Sequence, residues 1–276
     1  MTARPFLKWA GGKRTLEDAI LARLLAAAQV SRYVEPFVGG GAIFFRMREE
    51  RPSLPACIAD SNASLMNTYV AVRDDVAAVI QELARHAELH ARAHFYAVRR
   101  ESPKDAGSTA ARFIYLNRTC YNGLWRENRK GEFNVPMGCY ANPKILDEAN
   151  LRNVSAALRD VEIRCVDFEQ ATSDCGRGDL VYLDPPYHPL SATSSFTSYT
   201  ASGFGPDEQA RLARVFARLS AEGAHVVLSN SDSTFIRQLY ASLEPRPVID
   251  SVDAPRAINS KGKSRGPVKE VLVSSP

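Results

Sequence analysis

The sequence predicts an α/β protein with a doubly wound, mostly parallel sheet and helices on both faces. Three observations favour this class. Short apolar strands alternate with helical segments near both ends of the chain. One strand runs into a glycine turn at residues 39–41. Another apolar run, residues 180–183, stops at two prolines, which fix φ and donate nothing to a sheet ladder. Open α/β sheets bind ligands at the carboxyl ends of their strands, so both places are candidate site positions.

Length and composition are those of an ordinary globular protein. The chain has 276 residues, of which 45% are hydrophobic and 24% charged, enough for one large domain or a domain with an insertion. The net charge of +4 permits a nucleic-acid partner without requiring one. Five cysteines without C-x-x-C spacing predict reduced thiols in a cytoplasmic protein. Residues 1–14 contain no apolar leader and no run approaches the roughly 20 residues of a membrane span, so a membrane partner is not expected.

The first sixty residues are predicted to form half of a sheet that binds a nucleoside. After a helix at residues 16–29, a strand beginning at Tyr33 enters the glycine turn. A second strand, residues 56–60, ends at Asp60, which is well placed to hold ribose hydroxyls. Gly11-Gly12-Lys13 does not match the P-loop pattern and the turn does not match the dinucleotide pattern, so the ligand need not carry phosphates. A plain tight turn remains the alternative.

Residues 74–150 interrupt the strand–helix alternation. Residues 76–100 are predicted to be helical, with His86, His90 and His94 on one face. Because no acidic or cysteine partner has matching spacing, we expect a solvated or DNA-facing helix side rather than a metal site. The run at residues 117–136 mixes arginines, asparagines and aromatics around a hairpin turn, and such residues read or wedge between bases. A polar surface hairpin is the other interpretation.

The alternation resumes in the second half. Strands are predicted at residues 161–166, 180–183, 224–228, 247–252 and 268–273, the last antiparallel, with helices at residues 207–220 and 233–243. A Ser/Thr/Tyr-rich loop at residues 188–205 is long enough to be a functional lid. The basic stretch at residues 256–269 fits either phosphate contact or a solvated loop.

The stretch Asp184-Pro185-Pro186-Tyr187 suits chemistry on an exocyclic amine of a nucleobase. Such an amine is a poor nucleophile because its lone pair is delocalised into the ring. The Asp184 carboxylate and the Pro185 carbonyl can accept its two hydrogens, which favours a tetrahedral, nucleophilic nitrogen. Tyr187 offers a flat face on which the base can stack. A strand-to-turn junction with a solvated aspartate is the structural alternative.

Six motifs occur together in one order: residues 6–13, residues 35–41, Asp60, residues 117–136, residues 184–187 and the loop that follows. Over nearly the whole chain they resemble the Dam family of S-adenosylmethionine-dependent DNA adenine-N6 methyltransferases. The resemblance implies a Rossmann-like catalytic domain of residues 1–73 and 151–276. Residues 74–150 would be an inserted, mainly helical target-recognition domain with a β-hairpin.

The resemblance also implies a function. S-adenosylmethionine would donate a methyl group to adenine N6 of a base flipped from double-stranded DNA, usually in GATC, leaving S-adenosylhomocysteine. No metal is implied, and the enzyme would be a cytoplasmic, DNA-associated monomer of a bacterium or phage. A cytosine-N4 or RNA amino-methyltransferase and a catalytically silent DNA-binding relative remain alternatives. Trp125 and Glu127 leave the recognition sequence open, and neither a restriction partner nor processivity can be predicted.

The resemblance assigns three sets of site residues. The catalytic set is Asp184, Pro185, Pro186 and Tyr187. The donor-binding set is Trp9, Lys13, Glu35, Phe37, Gly39, Gly41, Asp60, Asp167, Phe168 and Asp184. The DNA-binding set is Lys8, Arg118, Tyr121, Asn122, Leu124, Arg126, Pro136 and Tyr140.

Overall fold

The structure is a computed structural model that describes residues 2–9, 14–128, 130–190, 203–254 and 268–276. Lys13, most of the predicted lid at residues 188–205 and most of the basic stretch at residues 256–269 lie outside the described residues.

A mostly parallel sheet is the central feature of the fold. Its strands are β1 (Arg32–Glu35), β2 (Ala56–Ala59), β3 (Val161–Arg164), β4 (Asp179–Leu183), β5 (His225–Ser231), β6 (Val248–Ala254) and β7 (Val268–Ser274). The order within this seven-stranded sheet is β3-β2-β1-β4-β5-β7-β6. Strand β4 runs parallel to both β1 and β5, whereas β7 is antiparallel to β5 and β6. The predicted fold class and the antiparallel last strand are therefore confirmed.

Helices connect and cover these strands. In the described residues they are α1 (Arg14–Leu25), α2 (Ala42–Glu50), α3 (Ala63–Asp74), α4 (Val76–Glu88), α5 (Arg92–Arg100), α6 (Ala106–Thr119), α7 (Glu148–Leu158), α8 (Phe168–Ala171), α9 (Pro206–Ala221) and α10 (Thr234–Ala241). Side chains cap several of them; the Asn62 side chain, for example, accepts from the Leu65 amide at 3.0 Å at the start of α3.

The chain forms two compact units. The first comprises Met1–Gly12, Val38–Ser53 and Ile58–Val166, and the second comprises Lys13–Phe37, Leu54–Cys57 and Asp167–Pro276. Residues 74–150 fall wholly in the first unit. The core of the second unit forms because alternate residues of neighbouring strands, such as Val181, Leu183, Val226 and Leu228, present one apolar face. Helix α9 buries Phe216 against that face.

The predicted helix at residues 76–100 is wrong in one respect, because it is two helices. Helix α4 ends at Glu88 and α5 begins at Arg92. Between them Ala91, the N-cap of α5, has an extended backbone with φ −154° and ψ 167°. The helical backbone is therefore interrupted at this residue.

The expectation that the histidines form a solvated or DNA-facing side is also wrong. His86 is only 2% exposed, and its Nδ1 lies 3.0 Å from Nε2 of His94. His90 Nδ1 lies 2.9 Å from the hydroxyl of Tyr115, which stacks on His86 with ring centroids 4.9 Å apart. These rings belong to the packing of α4, α5 and α6.

Two further features bear on the predicted class of protein. None of the described helices combines the length and apolar composition that a bilayer crossing requires. The five cysteines are free thiols, and Cys57, Cys120 and Cys175 are buried.

Candidate active site

The register of the sheet places Asp184 beside Ser229. Strands β4 and β5 pair up to Leu183 and Leu228, so the next residue of each strand lies side by side. The Ser229 hydroxyl donates to Oδ1 of Asp184 at 2.7 Å. The hydroxyl of Tyr182, which is 1% exposed, lies 2.9 Å from Ser229 Oγ. A chain of three polar groups therefore ends on the carboxylate.

The residues after Asp184 are held by buried side chains. Gln209 on α9 is fully buried and donates to the Pro186 carbonyl at 2.8 Å. The Tyr187 hydroxyl donates to Oε2 of Glu270 on β7 at 3.2 Å. Burial, followed by the nearby charge of Asp184, raises the pKa of Tyr187 well above its ordinary value. Tyr187 is therefore a neutral, half-buried ring fixed at its hydroxyl, which suits stacking.

The next segment of the loop is bound by the carboxyl end of β5. Asn230 accepts from the His188 amide at 3.1 Å and donates to Gln209 at 3.1 Å. The Ser231 hydroxyl donates to the His188 carbonyl at 2.6 Å. Residues 184–188 are thus fixed through both backbone and side-chain groups.

A second polar and aromatic group follows β1. Glu35 is 2% exposed and accepts from the Tyr33 hydroxyl at 2.7 Å. Phe37 stacks on Phe168 with ring centroids 5.3 Å apart. Because β1 and β4 are parallel neighbours, Glu35 and Asp184 end at the same sheet edge.

Phe168 is also covered by a cation. The guanidinium of Arg211 lies 4.3 Å from the Phe168 ring centroid and pairs with Asp167 and Glu169. Asp167 itself caps α8 by accepting from the Glu169 amide at 2.9 Å. This group of aromatic and acidic side chains has the chemistry needed to flank a flat heterocycle that carries hydrogen-bond donors.

The glycine turn belongs to the first unit. Gly39 has φ +47°, and a Cβ on it would lie 2.7 Å from Trp9 Cδ1. Its carbonyl accepts from the Tyr69 hydroxyl at 3.0 Å. A Cβ on Gly41, whose φ is +74°, would lie 2.7 Å from the same hydroxyl. Both positions require glycine, because a side chain would be strained and would displace an aromatic neighbour.

Asp60 is linked to this turn. Its Oδ2 accepts from the Gly39 amide at 3.3 Å and its Oδ1 from the Asn62 amide at 2.9 Å. Burial raises the pKa of Asp60, and these two amides act against that shift. The carboxylate is thereby oriented on the turn, as a group that binds vicinal hydroxyls must be.

Lys8 is held against the end of α6 in the first unit. Fully buried Asn117 accepts from the Lys8 amide at 2.7 Å and donates to the Lys8 carbonyl at 2.7 Å. The Lys8 ammonium donates to the Arg118 carbonyl at 3.1 Å and lies 3.6 Å from the centroid of the Tyr140 ring. Burial and the Arg118 charge lower the pKa of Lys8. Lys8, Arg118 and Tyr140, all predicted DNA contacts, therefore lie together.

The remaining predicted DNA contacts lie on the hairpin and the turn that precedes it. Tyr121 is 52% exposed, Asn122 has φ 54°, and Leu124, Arg126 and Pro136 are at least partly exposed. Arg126 donates to Asn134 Oδ1 across the hairpin at 2.7 Å. Trp125 instead packs on Phe113 and Phe133, so it supports the hairpin from inside.

Comparison with known proteins identifies the family. The family model for the D12 class N6 adenine-specific DNA methyltransferases matches residues 9–255. The chain belongs to this family.

Relatives match the methyltransferase over its full length. It is 42% identical over 290 residues to the type II methyltransferase M.MjaIII of Methanocaldococcus jannaschii, with 99% of each chain covered. It is 38% identical to the type II methyltransferase M1.LlaDCHI of Lactococcus lactis subsp. cremoris, over 99% of this chain and 95% of that one. It is 36% identical to the DNA adenine methylase of Vibrio cholerae, over 98% and 95%. The predicted family and enzyme class, an adenine-specific DNA methyltransferase, are confirmed.

The sequence did not predict that three polar residues at the end of β5 bind residues 184–188. Ser229, Asn230 and Ser231 were placed beyond a strand predicted to end at Leu228, but β5 continues to Ser231. The available signal was a Ser-Asn-Ser run directly after an apolar strand. In the described part of the chain, no group of three His, Cys, Asp or Glu side chains is arranged to hold a metal ion.

Proposed function

We propose that this DNA adenine methyltransferase moves a methyl group from S-adenosylmethionine to N6 of an adenine flipped out of double-stranded DNA, in the sequence GATC. The observation that carries the proposal is the fixed Asp184 carboxylate at the end of β4, followed by two prolines and the half-buried Tyr187 ring. A rigid acceptor beside a stacking surface is what activation of an exocyclic amine needs.

The protein's part in the chemistry is acceptance and alignment. Asp184 and the Pro185 carbonyl accept the two N6 hydrogens, which shifts electron density onto the nitrogen and makes it nucleophilic. Since Gln209 occupies the Pro186 carbonyl, the Pro185 carbonyl is the one that we assign to the amine. Tyr187 stacks on the base. Holding N6 in line with the methyl group lowers the entropic cost of bringing the two reacting atoms into alignment.

S-adenosylmethionine, when bound, supplies an electrophilic methyl group on its sulfonium. The residues present fit this molecule, because the glycine turn packs closely against the Trp9 ring and binds the Asp60 carboxylate through the Gly39 amide, which places an aromatic surface and an acceptor of hydroxyl hydrogens at one turn. Asp60 holds the ribose hydroxyls. The rest of the donor-binding set is assigned from sequence: Trp9, Lys13, Glu35, Phe37, Asp167, Phe168 and Asp184.

Residues 74–150 are the target-recognition domain in this proposal. Extracting a base from the stack costs a few kcal/mol, and exposed Tyr121 and partly exposed Leu124 offset part of that cost by entering the gap. Arg126 reads one guanine in the major groove. Lys8, Arg118, Asn122, Pro136 and Tyr140 complete the contacts. The enzyme acts as a monomer in the cytoplasm of its host.

The decisive experiment replaces Asp184. We expect Asp184→Ala to abolish incorporation of labelled methyl into a GATC duplex, while calorimetry shows that the donor still binds through the other members of its set. The matched control is Asp250→Ala, an exposed carboxylate on β6 of the same unit that pairs with Arg23, and it should retain turnover. Retained turnover in Asp184→Ala would refute the mechanism.

A separate experiment tests the recognition sequence. Plasmid DNA from cells expressing the enzyme is digested with nucleases that distinguish methylated from unmethylated GATC. Protection at GATC supports the proposal. Methyladenine elsewhere, with GATC still unmethylated, would retain the enzyme class and overturn the sequence.

A further inference from the structure

The groups around Asp184 form a directed hydrogen-bond chain. An ionised carboxylate can only accept, so the single proton of the Ser229 hydroxyl is committed to Asp184 Oδ1. The Tyr182 hydroxyl, 2.9 Å from Ser229 Oγ, must then donate to Ser229. Burial and the nearby Asp184 charge raise the pKa of Tyr182 well above its ordinary value, so the phenol keeps its proton.

We propose that Ser229, supported by Tyr182, is a positioning residue for methyl transfer that fixes the rotation of the Asp184 carboxylate. This inference rests on the proposed role of Asp184. A carboxylate offers about four acceptor positions, so one bond from Ser229 orients it and leaves capacity for an amine. Loss of that bond removes the restraint that β5 places on the rotation of the carboxylate, so the acceptor direction that N6 requires is less sharply defined.

Both supporting residues are themselves immobile. Ser229 is fully buried and Tyr182 is 1% exposed, and both lie in the paired strands β5 and β4. Their hydroxyls are therefore set by the sheet register and not by a flexible loop. Displacement of a reacting group by about 1 Å can cost on the order of 100-fold in rate, which sets the scale of the effect.

The test compares four single variants: Ser229→Ala, Ser229→Thr, Tyr182→Phe and Asp184→Ala. Single-turnover methyl transfer is measured with DNA and donor saturating, and the two dissociation constants are measured separately. We expect Ser229→Ala to lower the transfer rate about 10- to 100-fold with both dissociation constants nearly unchanged. Ser229→Thr restores a hydroxyl and should recover most of the rate. Tyr182→Phe removes the hydrogen bond to Ser229 but leaves the Ser229 hydroxyl in place, so it should lower the rate about 3- to 10-fold.

The matched control is Ser275→Ala. This buried serine accepts from the Val226 amide of the same strand β5 at 3.0 Å, at the opposite end from Asp184. The variant removes a comparable buried hydroxyl, one that follows β7 and is hydrogen-bonded to β5, without touching the carboxylate, so it should lower stability and leave the transfer rate within about twofold.

Each outcome decides a different question. An inactive Asp184→Ala beside a fully active Ser229→Ala overturns this inference alone, whereas an active Asp184→Ala overturns the proposed function. A loss that falls on DNA affinity, or a folded Ser229→Thr that recovers nothing, also overturns the positioning role. If Ser229→Ala fails to fold, Tyr182→Phe decides, because it deletes one oxygen atom, and an unchanged transfer rate there refutes the chain.

Discussion

Acidification is expected to destabilise the first unit through His86. The side chain of His86 is 2% exposed, between His94 and the ring of Tyr115. Burial, then the charge of Arg85, lowers its pKa from 6.5 to about 4. The folded protein therefore keeps His86 neutral under conditions in which the unfolded chain protonates it.

The sign and size of the effect follow from this difference. Above about pH 6.5 His86 is neutral in both the folded and the unfolded state, so its titration does not reduce the free energy of unfolding. As pH falls towards about 4 the unfolded state binds a proton that the folded state excludes, which costs about 3 kcal/mol in the limit. By about pH 5 roughly 2 kcal/mol should be lost. Burial also lowers the pKa of His90 and His94, so their contributions have the same sign.

Urea denaturation at about pH 7.5 and about pH 5 measures this loss. Tryptophan fluorescence reports on the correct unit, because the two tryptophans, Trp9 and Trp125, both belong to the first unit. The comparison variant is His86→Gln, whose amide can still hydrogen-bond to His94 but does not titrate. It should be less stable at neutral pH and lose less on acidification. An equal loss of unfolding free energy in both proteins would refute the role of His86.

Two other substitutions test the remaining parts of the site. Gly39→Ala should weaken S-adenosylmethionine binding about 10-fold or more in calorimetry, because the φ of +47° is strained for alanine and its Cβ meets Trp9 at 2.7 Å. Gly131→Ala is the control, since its φ is +75° but no atom lies within 4 Å of its Cβ; equal weakening in both would contradict the contact. Arg126→Ala should lose about 1–3 kcal/mol of the free energy that discriminates one guanine from other bases. Asn134→Ala, which removes only the hydrogen bond that holds the Arg126 guanidinium, should lose less. Equal losses on GATC and unrelated duplexes would instead make Arg126 a phosphate contact.

The fold and part of the site follow from local chemistry. The end of β4 was predictable because two prolines stop a strand whatever surrounds them. The sequence predicted that another group packs closely against the backbone of the glycine turn. That group includes the ring of Trp9, which is distant in sequence. The hydrogen bond from Ser229 to Asp184 was not predictable, because these residues are 45 positions apart and meet only through the pairing of two strands.

The histidine prediction failed for a related reason. His86, His90 and His94 do lie near one another, but across the break between α4 and α5 and not on one helix face, and spacing alone does not decide whether they meet water or protein. Tyr115 on α6 contacts all three rings, and nothing near it in sequence announces this. Polar residues at helical spacing are therefore ambiguous until the facing helix is known.

Buried polar side chains from distant segments fix functional groups in both units. Ser229 orients the carboxylate of Asp184, and Asn117 binds both backbone groups of Lys8 as well as the Gly123 carbonyl. By contrast, Tyr121 and Arg126 are exposed. In the proposed function, rigid support is needed where reacting atoms must align, whereas the residues assigned to a deformable duplex gain from freedom to adjust. Substitutions in the exposed hairpin are therefore expected to change which DNA sequence is methylated. Substitution of Asn117 should instead lower methylation of every DNA sequence to the same extent.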